Sequence, residues 1–212
     1  MGSEMCIRDS LTTGSAIYFM KHVLGNGSLL GLFSMMKMFP VIIALIFTPI
    51  LVKKTGSMQK VNFWGYVISD ILGIFLIIFA MQKNLPMMLL FMFLKGTFAG
   101  TMSGTLNALI AEISGYTYRT KGVHIDGMMF SCSSLGVKVG GGIGTAAVGW
   151  LLHAAGYAGK AATQTAAATN MIFSMYITIP VILGVVITIL LGLMKVEKEN
   201  KRIDMERAEK AD

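Results

Sequence analysis

The chain has 212 residues and a formal net charge of +7, yet only 14% of its residues are charged and 54% are hydrophobic. A soluble globular domain carries roughly 25% charged residues, so the chain is too apolar for an ordinary soluble enzyme or binding domain. Its hydrophobic residues fall in blocks of about 20 or more, the length that a helix needs to cross the hydrocarbon layer of a bilayer.

The first ten residues, MGSEMCIRDS, differ from the rest of the chain. They resemble the translated remnant of a cloning adaptor. They lack the successive charged, hydrophobic and cleavage regions of a signal peptide. We therefore expect residues 1–10 not to be native and residues 11–195 to form one transmembrane domain. Residues 196–212 mix Glu and Lys without an apolar stripe, which predicts a cytoplasmic tail that is a solvated helix end or disordered.

Six apolar segments follow in chain order: 11–25, 28–52, 61–81, 86–110, 128–152 and 171–194. Backbone amides in lipid must be hydrogen-bonded within their own segment, so each segment is predicted to be a helix. The first segment is short and looks clipped at its start. The predicted fold class is therefore all-α, a polytopic membrane helix bundle with six transmembrane helices.

The basic residues lie mainly in the short hydrophilic gaps between these segments. Eleven lysines and arginines fall on one side of the predicted membrane and three on the other, and the short loops alone give five against three. Because cytoplasmic loops are enriched in Lys and Arg, the C-terminus is predicted to be cytoplasmic in the inner (plasma) membrane. The same distribution argues against a nucleic-acid partner.

Glycines recur at every fourth position in the fourth and fifth segments, at Gly96, Gly100 and Gly104 and at Gly136, Gly140 and Gly144. Residues four apart share one face of a helix, so each set predicts a smooth ridge. Small residues let membrane helices approach closely. The ridges indicate either static packing or helices that slide during alternating access.

Charged residues within a membrane helix are rare and mark functional sites by default. Lys138 lies near the middle of the fifth segment, and Ser134 and Ser131 share its face. Its ammonium group could serve as a fixed cation, pair with a carboxylate or donate hydrogen bonds to sugar hydroxyls. The alternative is a structural ion pair. Lys95 in the fourth segment is open to either interpretation.

Asp70 and Lys37 also lie within predicted helices, and for both we favour structural pairing. A second charged group, Glu112, Arg119, Lys121 and Asp126, surrounds the gap between the fourth and fifth segments. It is either a solvated loop or a set of inner-gate ion pairs that break when the cavity opens inward. Asn107 lies one turn from Glu112 and could face a cavity.

No pattern in the sequence indicates catalysis. The cysteines Cys6 and Cys132 predict no disulfide framework, and the three histidines lack the spacing of metal ligands. The glycine run at residues 140–144 lacks the strand and the Lys-Ser/Thr pair of a phosphate-binding loop. We therefore predict no enzyme, no bound metal and no cofactor.

Several strings resemble one transporter family, the glycoside–pentoside–hexuronide:cation symporters of the major facilitator superfamily. They are residues 18–26 (YFMKHVLGN), 49–56 (PILVKKTG), 111–127 and 130–157, in the family's order and spacing. The resemblance covers nearly all of residues 14–200. It implies a twelve-helix fold of two six-helix halves. This chain would supply the C-terminal half, and the missing N-terminal half would be its partner.

The resemblance also implies roles for individual residues. Lys138 matches an eleventh-helix lysine near the family's sugar and cation sites, and Ser133 and Ser134 fall where that helix contacts sugar. The predicted substrate-binding residues are Ser133, Ser134, Lys138, Asn107 and Lys95; Lys138 also couples the cation, and the inner gate is Glu112, Arg119 and Asp126. The family's cation-binding aspartates would lie in the missing half.

Three positions depart from the family pattern. The first aspartate of the family's loop motif is Glu112, which keeps the charge, and the second is Gly115, which loses it. Ser103 stands at the position where a member of the family has a tryptophan that stacks on the sugar. The predicted function is sugar:cation symport, with transport of a lipid, drug or peptide, or a non-transporting membrane subunit, as alternatives.

Overall fold

A computed structural model describes residues 2–159, 161, 163–194 and 196–209. This part of the chain is helical and contains no β-strand. The helices are α1 (Gly2–His22), α2 (Leu29–Thr55), α3 (Met58–Met81), α4 (Leu85–Ala99), α5 (Thr101–Lys121), α6 (Asp126–Ala154), α7 (Ala166–Phe173), α8 (Ile179–Leu193) and α9 (Val196–Glu209). A π-helical turn, Ser174–Thr178, joins α7 to α8. The all-α fold class is thus confirmed.

Five helical stretches are long and apolar enough to cross a membrane: α2, α3, α4 continued by α5, α6, and the stretch that begins with α7. Helix α1 is not among them. Three of its four charged residues, Glu4, Arg8 and Asp9, lie within the first ten positions, so its apolar part begins at Leu11. The chain is therefore a polytopic membrane helix bundle.

Short turns with defined caps connect the helices. The Ser57 hydroxyl oxygen accepts a hydrogen bond from the Lys60 N–H at 3.1 Å and caps α3. Helices α2 and α5 end at Gly56 and Gly122, whose φ angles of 63° and 70° are left-handed. Glycine adopts this conformation without the steric penalty of a Cβ atom. These turns fold successive helices back against each other.

The connections alternate between the two ends of the bundle. The end that we call the tail end carries the α2–α3 turn, the α5–α6 turn and α9. At the opposite end, His22 Nε2 lies 3.2 Å from Tyr157 Oη, and the Tyr157 ring packs edge-on against Tyr18. Burial, followed by the nearby Tyr18, raises the pKa of Tyr157, so its hydroxyl stays protonated at neutral pH.

The first glycine ridge packs α4 and α5 against α2, which confirms the predicted close approach. A Cβ atom at Gly96 would lie 3.0 Å from Pro40 Cβ, and one at Gly100 would lie 2.7 Å from Ala44 Cβ. Pro40 and Ala44 are both buried. The small ridge therefore lets the two helices meet with little side-chain volume between them.

The second ridge packs α6 against α1. A Cβ atom at Gly140 would lie 2.6 Å from the Ser3 carbonyl oxygen, and one at Gly144 would lie 2.8 Å from that of Ile7. Ser3 and Ile7 belong to the first ten residues. Residues 2–10 thus extend the predicted first helix toward the N-terminus. That residues 1–10 are not native stays a prediction.

Several predicted helix boundaries differ from those observed, and the last membrane stretch, predicted from residue 171, begins at Ala166. The first helix runs over Gly2–His22 instead of 11–25. The fourth segment, predicted to end at 110, continues as α5 to Lys121, with an interruption at Gly100. Residues 111–121 are too polar to be placed in hydrocarbon, but a helix can extend beyond the membrane into water, where hydropathy no longer marks its end.

The tail also differs from the prediction. Val196–Glu209 forms α9, and two of its polar residues, Glu197 and Asn200, are only 7% and 4% exposed. The Asn200 side-chain amide donates to the Glu112 carbonyl oxygen at 3.1 Å. This face of the tail is packed against α5 rather than solvated, although its composition is hydrophilic.

Candidate functional site

The exposed side of α6 is divided into two stripes. The polar stripe consists of Ser131, Ser134, Lys138, Gly142 and Thr145, all exposed. Residues at these spacings share one helical face. The apolar stripe lies beside it and consists of Leu135, Val139, Ile143 and Trp150, which are 49–70% exposed. One side of α6 therefore suits lipid, and the adjacent side suits water or a polar partner.

Lys138 lies at the centre of the polar stripe. Its side chain is exposed and makes no hydrogen bond or ion pair to the residues that the structure describes. Ser134, one turn away, is likewise exposed, whereas Ser133 is half-buried. Ser133 lines a cavity of about 280 Å³ between α5 and α6, together with Met102 and Leu106. Ser134 and Lys138 are thus available to a solute, whereas Ser133 lines a cavity that Gly2 and Ser3 of α1 also line.

Helix α5 presents a second face without bulky apolar groups. Its exposed residues between Thr101 and Thr117 are Ser103, Gly104, Asn107, Ala108 and Ala111. Helix α2, in contrast, exposes Phe39, Ile46 and Phe47, each more than half exposed. Asn107 therefore lies on a small and accessible face of α5; that it faces a solute cavity stays a prediction.

Lys95 belongs to a different environment from Lys138. It lies inside the bundle on α4, where a Cβ atom at Gly73 would be 3.4 Å from its Nζ atom. Its charge acts on the carboxylate of Asp70, and Asp70 Oδ2 accepts a hydrogen bond of 2.6 Å from the Thr188 hydroxyl. Asp70 also lies against Gly184, where any side chain would collide with it. These contacts link α3, α4 and α8.

Lys95 and Lys37 line a common internal cavity of about 110 Å³. Arg8 and Asp9, from the first ten residues, and the apolar side chains Met88 and Met92 also line it. Lys37 donates a hydrogen bond of 2.9 Å to the Thr13 hydroxyl on α1. Asp70 and Lys37 thus each contact a hydroxyl group; the structural charge pairing predicted for them stays a prediction.

The predicted inner-gate residues lie at the tail end of the bundle. Arg119 acts electrostatically on the half-buried Glu112 carboxylate. Asp126 is exposed, and its Oδ2 atom lies 3.7 Å from Nδ1 of His124. The His124 ring in turn stacks on Tyr118, with ring centroids 4.0 Å apart. Whether these groups form a gate stays a prediction.

Sequence reasoning missed a hydrogen-bonded clamp, which joins α9 to the α2–α3 turn. Glu197 Oε2 accepts hydrogen bonds of 2.9 Å from the Ser57 hydroxyl and from the Gln59 N–H. Glu197 Oε1 accepts one of 3.0 Å from Lys201, whose ammonium group also donates to the Gly56 carbonyl oxygen. In the sequence, Ser57 and Gln59 look like ordinary residues of a turn and a helix cap. Only the burial of Glu197, which the sequence does not show, distinguishes the clamp from an ordinary turn.

The chain matches a known protein family. The family model described as MFS/sugar transport protein matches residues 7–198. Because it covers most of the chain, the chain belongs to this family, which is one of transporters rather than enzymes. The predicted resemblance to the glycoside–pentoside–hexuronide type of major facilitator protein is confirmed.

Three relatives show the range of similarity. An uncharacterized 29.9 kDa protein of Pseudescherichia vulneris is 26% identical over 81% of this chain and 62% of its own length. The isoprimeverose transporter of Lactiplantibacillus pentosus is 27% identical over 86% of this chain and 37% of its own length. YagG, a glycoside/cation symporter candidate of Escherichia coli strain K12, is 24% identical, with corresponding coverage of 86% and 39%.

The chain therefore spans less than two thirds of the length of each of these relatives. No solved structure matches it.

Proposed function

We propose that the whole protein is a secondary active transporter that carries a glycoside, pentoside or hexuronide together with Na⁺ or H⁺. This chain would supply its C-terminal six helices. The observation that supports the proposal is the polar stripe of α6 with an apolar stripe beside it. Lys138, at the centre of the polar stripe, has no hydrogen-bond or ion-pair partner among the described residues.

The physical argument concerns where such a stripe can lie. A lysine at the centre of a bilayer costs about 2.5–3.5 kcal/mol when it faces lipid. Lys138 avoids this cost when the polar stripe borders a water-filled cavity between two halves of a transporter. Helix α5 also exposes small residues, which leave room for a solute. Secondary transporters bind their solutes at such a repeat interface near mid-membrane.

The names of two relatives support a sugar as the solute, because one is an isoprimeverose transporter and the other a glycoside/cation symporter candidate. The substrate-binding set in this proposal is Ser134, Lys138 and Asn107 at the accessible surface, with Ser133 and Lys95 deeper in the bundle. Lys138 is also the residue assigned to cation coupling.

The remaining parts of the proposal concern placement and partners. The C-terminus is assigned to the cytoplasm of the inner (plasma) membrane because the tail end carries the excess of basic residues. A six-helix N-terminal half is the partner that would complete the cavity and supply the cation-binding acids. We assign the chain no catalytic role and no cofactor other than the transported ion.

Uptake by cells that express the protein at its full natural length tests the proposal. Lys138→Ala should reduce ion-driven accumulation of radiolabelled glycosides, pentosides and uronides to background while membrane insertion stays normal. Val139→Ala, on the apolar stripe of the same helix, is the matched control and should transport normally. Wild-type accumulation by Lys138→Ala would refute the assignment of Lys138.

Two rival functions give different results in the same experiment. If the solute is a lipid, drug or peptide, binding and uptake of that class replace sugar uptake, and Lys138→Ala still abolishes it. If the protein is a non-transporting membrane subunit, no tested solute accumulates in cells that contain correctly inserted protein.

A further inference from the structure

A cavity of about 510 Å³ lies at the tail end of the bundle, away from the polar stripe of α6. It lies where the first turn of α3, the last turn of α8 and the start of α9 meet. Its principal lining residues are Lys60, Phe63, Leu191, Gly192, Lys198 and Lys201. None of the functions proposed for the solute pathway uses it.

The floor of this cavity is apolar. The Phe63 ring lies over Gly192, where a Cβ atom would be 3.2 Å from Phe63 Cε2, and Leu191 beside it is fully buried. Trp64 and Leu193, the neighbours of these residues, are 61% and 70% exposed. Tryptophan is enriched where a membrane protein passes from hydrocarbon to water. The floor thus continues into a surface that suits the acyl region of one leaflet.

The rim of the cavity is cationic. Lys60 and Lys198 are exposed, and their ammonium groups make no hydrogen bond or ion pair to the residues that the structure describes. Glu197, an acid that also lines the cavity, has both carboxylate oxygens occupied by Ser57, Gln59 and Lys201. It therefore holds the α2–α3 turn in place and leaves Lys60 and Lys198 free for an external anion.

We propose that this cavity binds the headgroup of an anionic phospholipid. The phosphate would lie between Lys60 and Lys198, and an acyl chain would run along Phe63 and Gly192. Basic pockets between membrane helices are suited to such headgroups. The apolar surface holds the acyl chain, and the lysines attract the negatively charged headgroup beside it. The apolar floor favours a lipid over a free phosphate ion, which would gain nothing from it. This site is independent of the transported solute.

The experiment uses the protein purified in detergent at its full natural length. Phosphatidylglycerol and phosphatidylcholine are titrated separately, and bound lipid is counted by native mass spectrometry. The double variant Lys60→Gln/Lys198→Gln should bind phosphatidylglycerol about 30-fold more weakly, because each lysine near the membrane contributes about fivefold in affinity. Lys53→Gln/Lys54→Gln changes two exposed lysines of the same turn that do not line the cavity, and should bind as the wild type does.

Three results would overturn the proposal. Equal retention of the two lipids by the wild type would show that charge is not recognised. An equal loss in both double variants would indicate only a general basic surface. Competition by inorganic phosphate at the same concentration as the lipid would show that the cavity binds a soluble anion. The thermal midpoints of the two lipid-free double variants, compared with that of the wild type, check that the four substitutions leave folding unchanged.

Discussion

Glu197 in α9 accepts a hydrogen bond of 2.9 Å from the hydroxyl of Ser57, although the two residues are 140 positions apart in the chain. Ser57 also caps α3, so one carboxylate of the tail is joined to the start of a membrane helix. A negative charge near a helix N-terminus is favourable because the first N–H groups point toward it. The tail is therefore a structural part of the bundle.

Removing this carboxylate should destabilise the protein. We expect Glu197→Ala to lower the free energy of unfolding by about 1–3 kcal/mol, because buried donors of Ser57 and Gln59 lose their acceptor. Thermal unfolding in detergent measures the change. Glu199→Ala is the control, since Glu199 forms a surface ion pair of 3.1 Å with Arg202, and its loss should change stability by less than about 1 kcal/mol. Equal effects of the two variants would contradict the clamp.

The glycine ridge on α4 and α5 makes a second prediction. Gly100→Ala should destabilise the bundle by about 1–3 kcal/mol, because its new methyl group would collide with Ala44 on α2. Gly149→Ala in α6 meets no atom within 4 Å and should be neutral or slightly stabilising, since alanine favours helix more than glycine does. Thermal midpoints of the two variants decide the matter, and a stabilised Gly100→Ala protein would show that the helices are not in close contact.

Lys95 and Asp70 are expected to be energetically coupled. Lys95→Met removes a cation whose charge favours the Asp70 carboxylate, and Asp70→Asn removes an anion that favours the Lys95 ammonium group, so each should destabilise the protein. The double variant should recover part of the loss, with a coupling energy of about 0.5–3 kcal/mol in a double-mutant cycle. Additive losses would mean that Lys95 does not stabilise Asp70 and would leave solute binding as its remaining role.

The orientation of the bundle can be tested with fusions to the C-terminus. Green fluorescent protein placed after Asp212 should fluoresce, and alkaline phosphatase at the same position should be inactive, because the basic loops assign this end to the cytoplasm. Fusions at Lys83, in the turn at the opposite end, provide the reciprocal control. Active phosphatase at the C-terminus would reverse the assignment.

Much of the fold could be predicted from the sequence because hydrocarbon imposes a simple rule on it. Long apolar runs had to be helices, and the glycine spacing of four placed Gly96 and Gly100 on a close-packed face, as observed. The boundary at residue 110 failed, because α5 continues into water to Lys121 and hydropathy records only the hydrocarbon part.

The sites were less predictable, because a linear pattern does not show which groups meet across helices. Ser131, Ser134 and Lys138 could be placed on one face, since all three lie on α6. The contact of Asp70 with Thr188 joins positions 118 apart, and no local signal marks Thr188 as its partner. Glu197 looked like any other tail residue until packing buried it.

The central claim is that the polar stripe of α6 borders an aqueous solute pathway and that the neighbouring stripe faces lipid. Thiol labelling measures this directly in full-length protein whose native cysteines, Cys132 among them, are replaced by Ser. Ser134→Cys should react with a water-soluble, membrane-impermeant methanethiosulfonate and be protected by the transported sugar, whereas Val139→Cys should stay unmodified over the same time. Labelling of Val139→Cys with Ser134→Cys unreactive would place the polar stripe away from water and contradict the account.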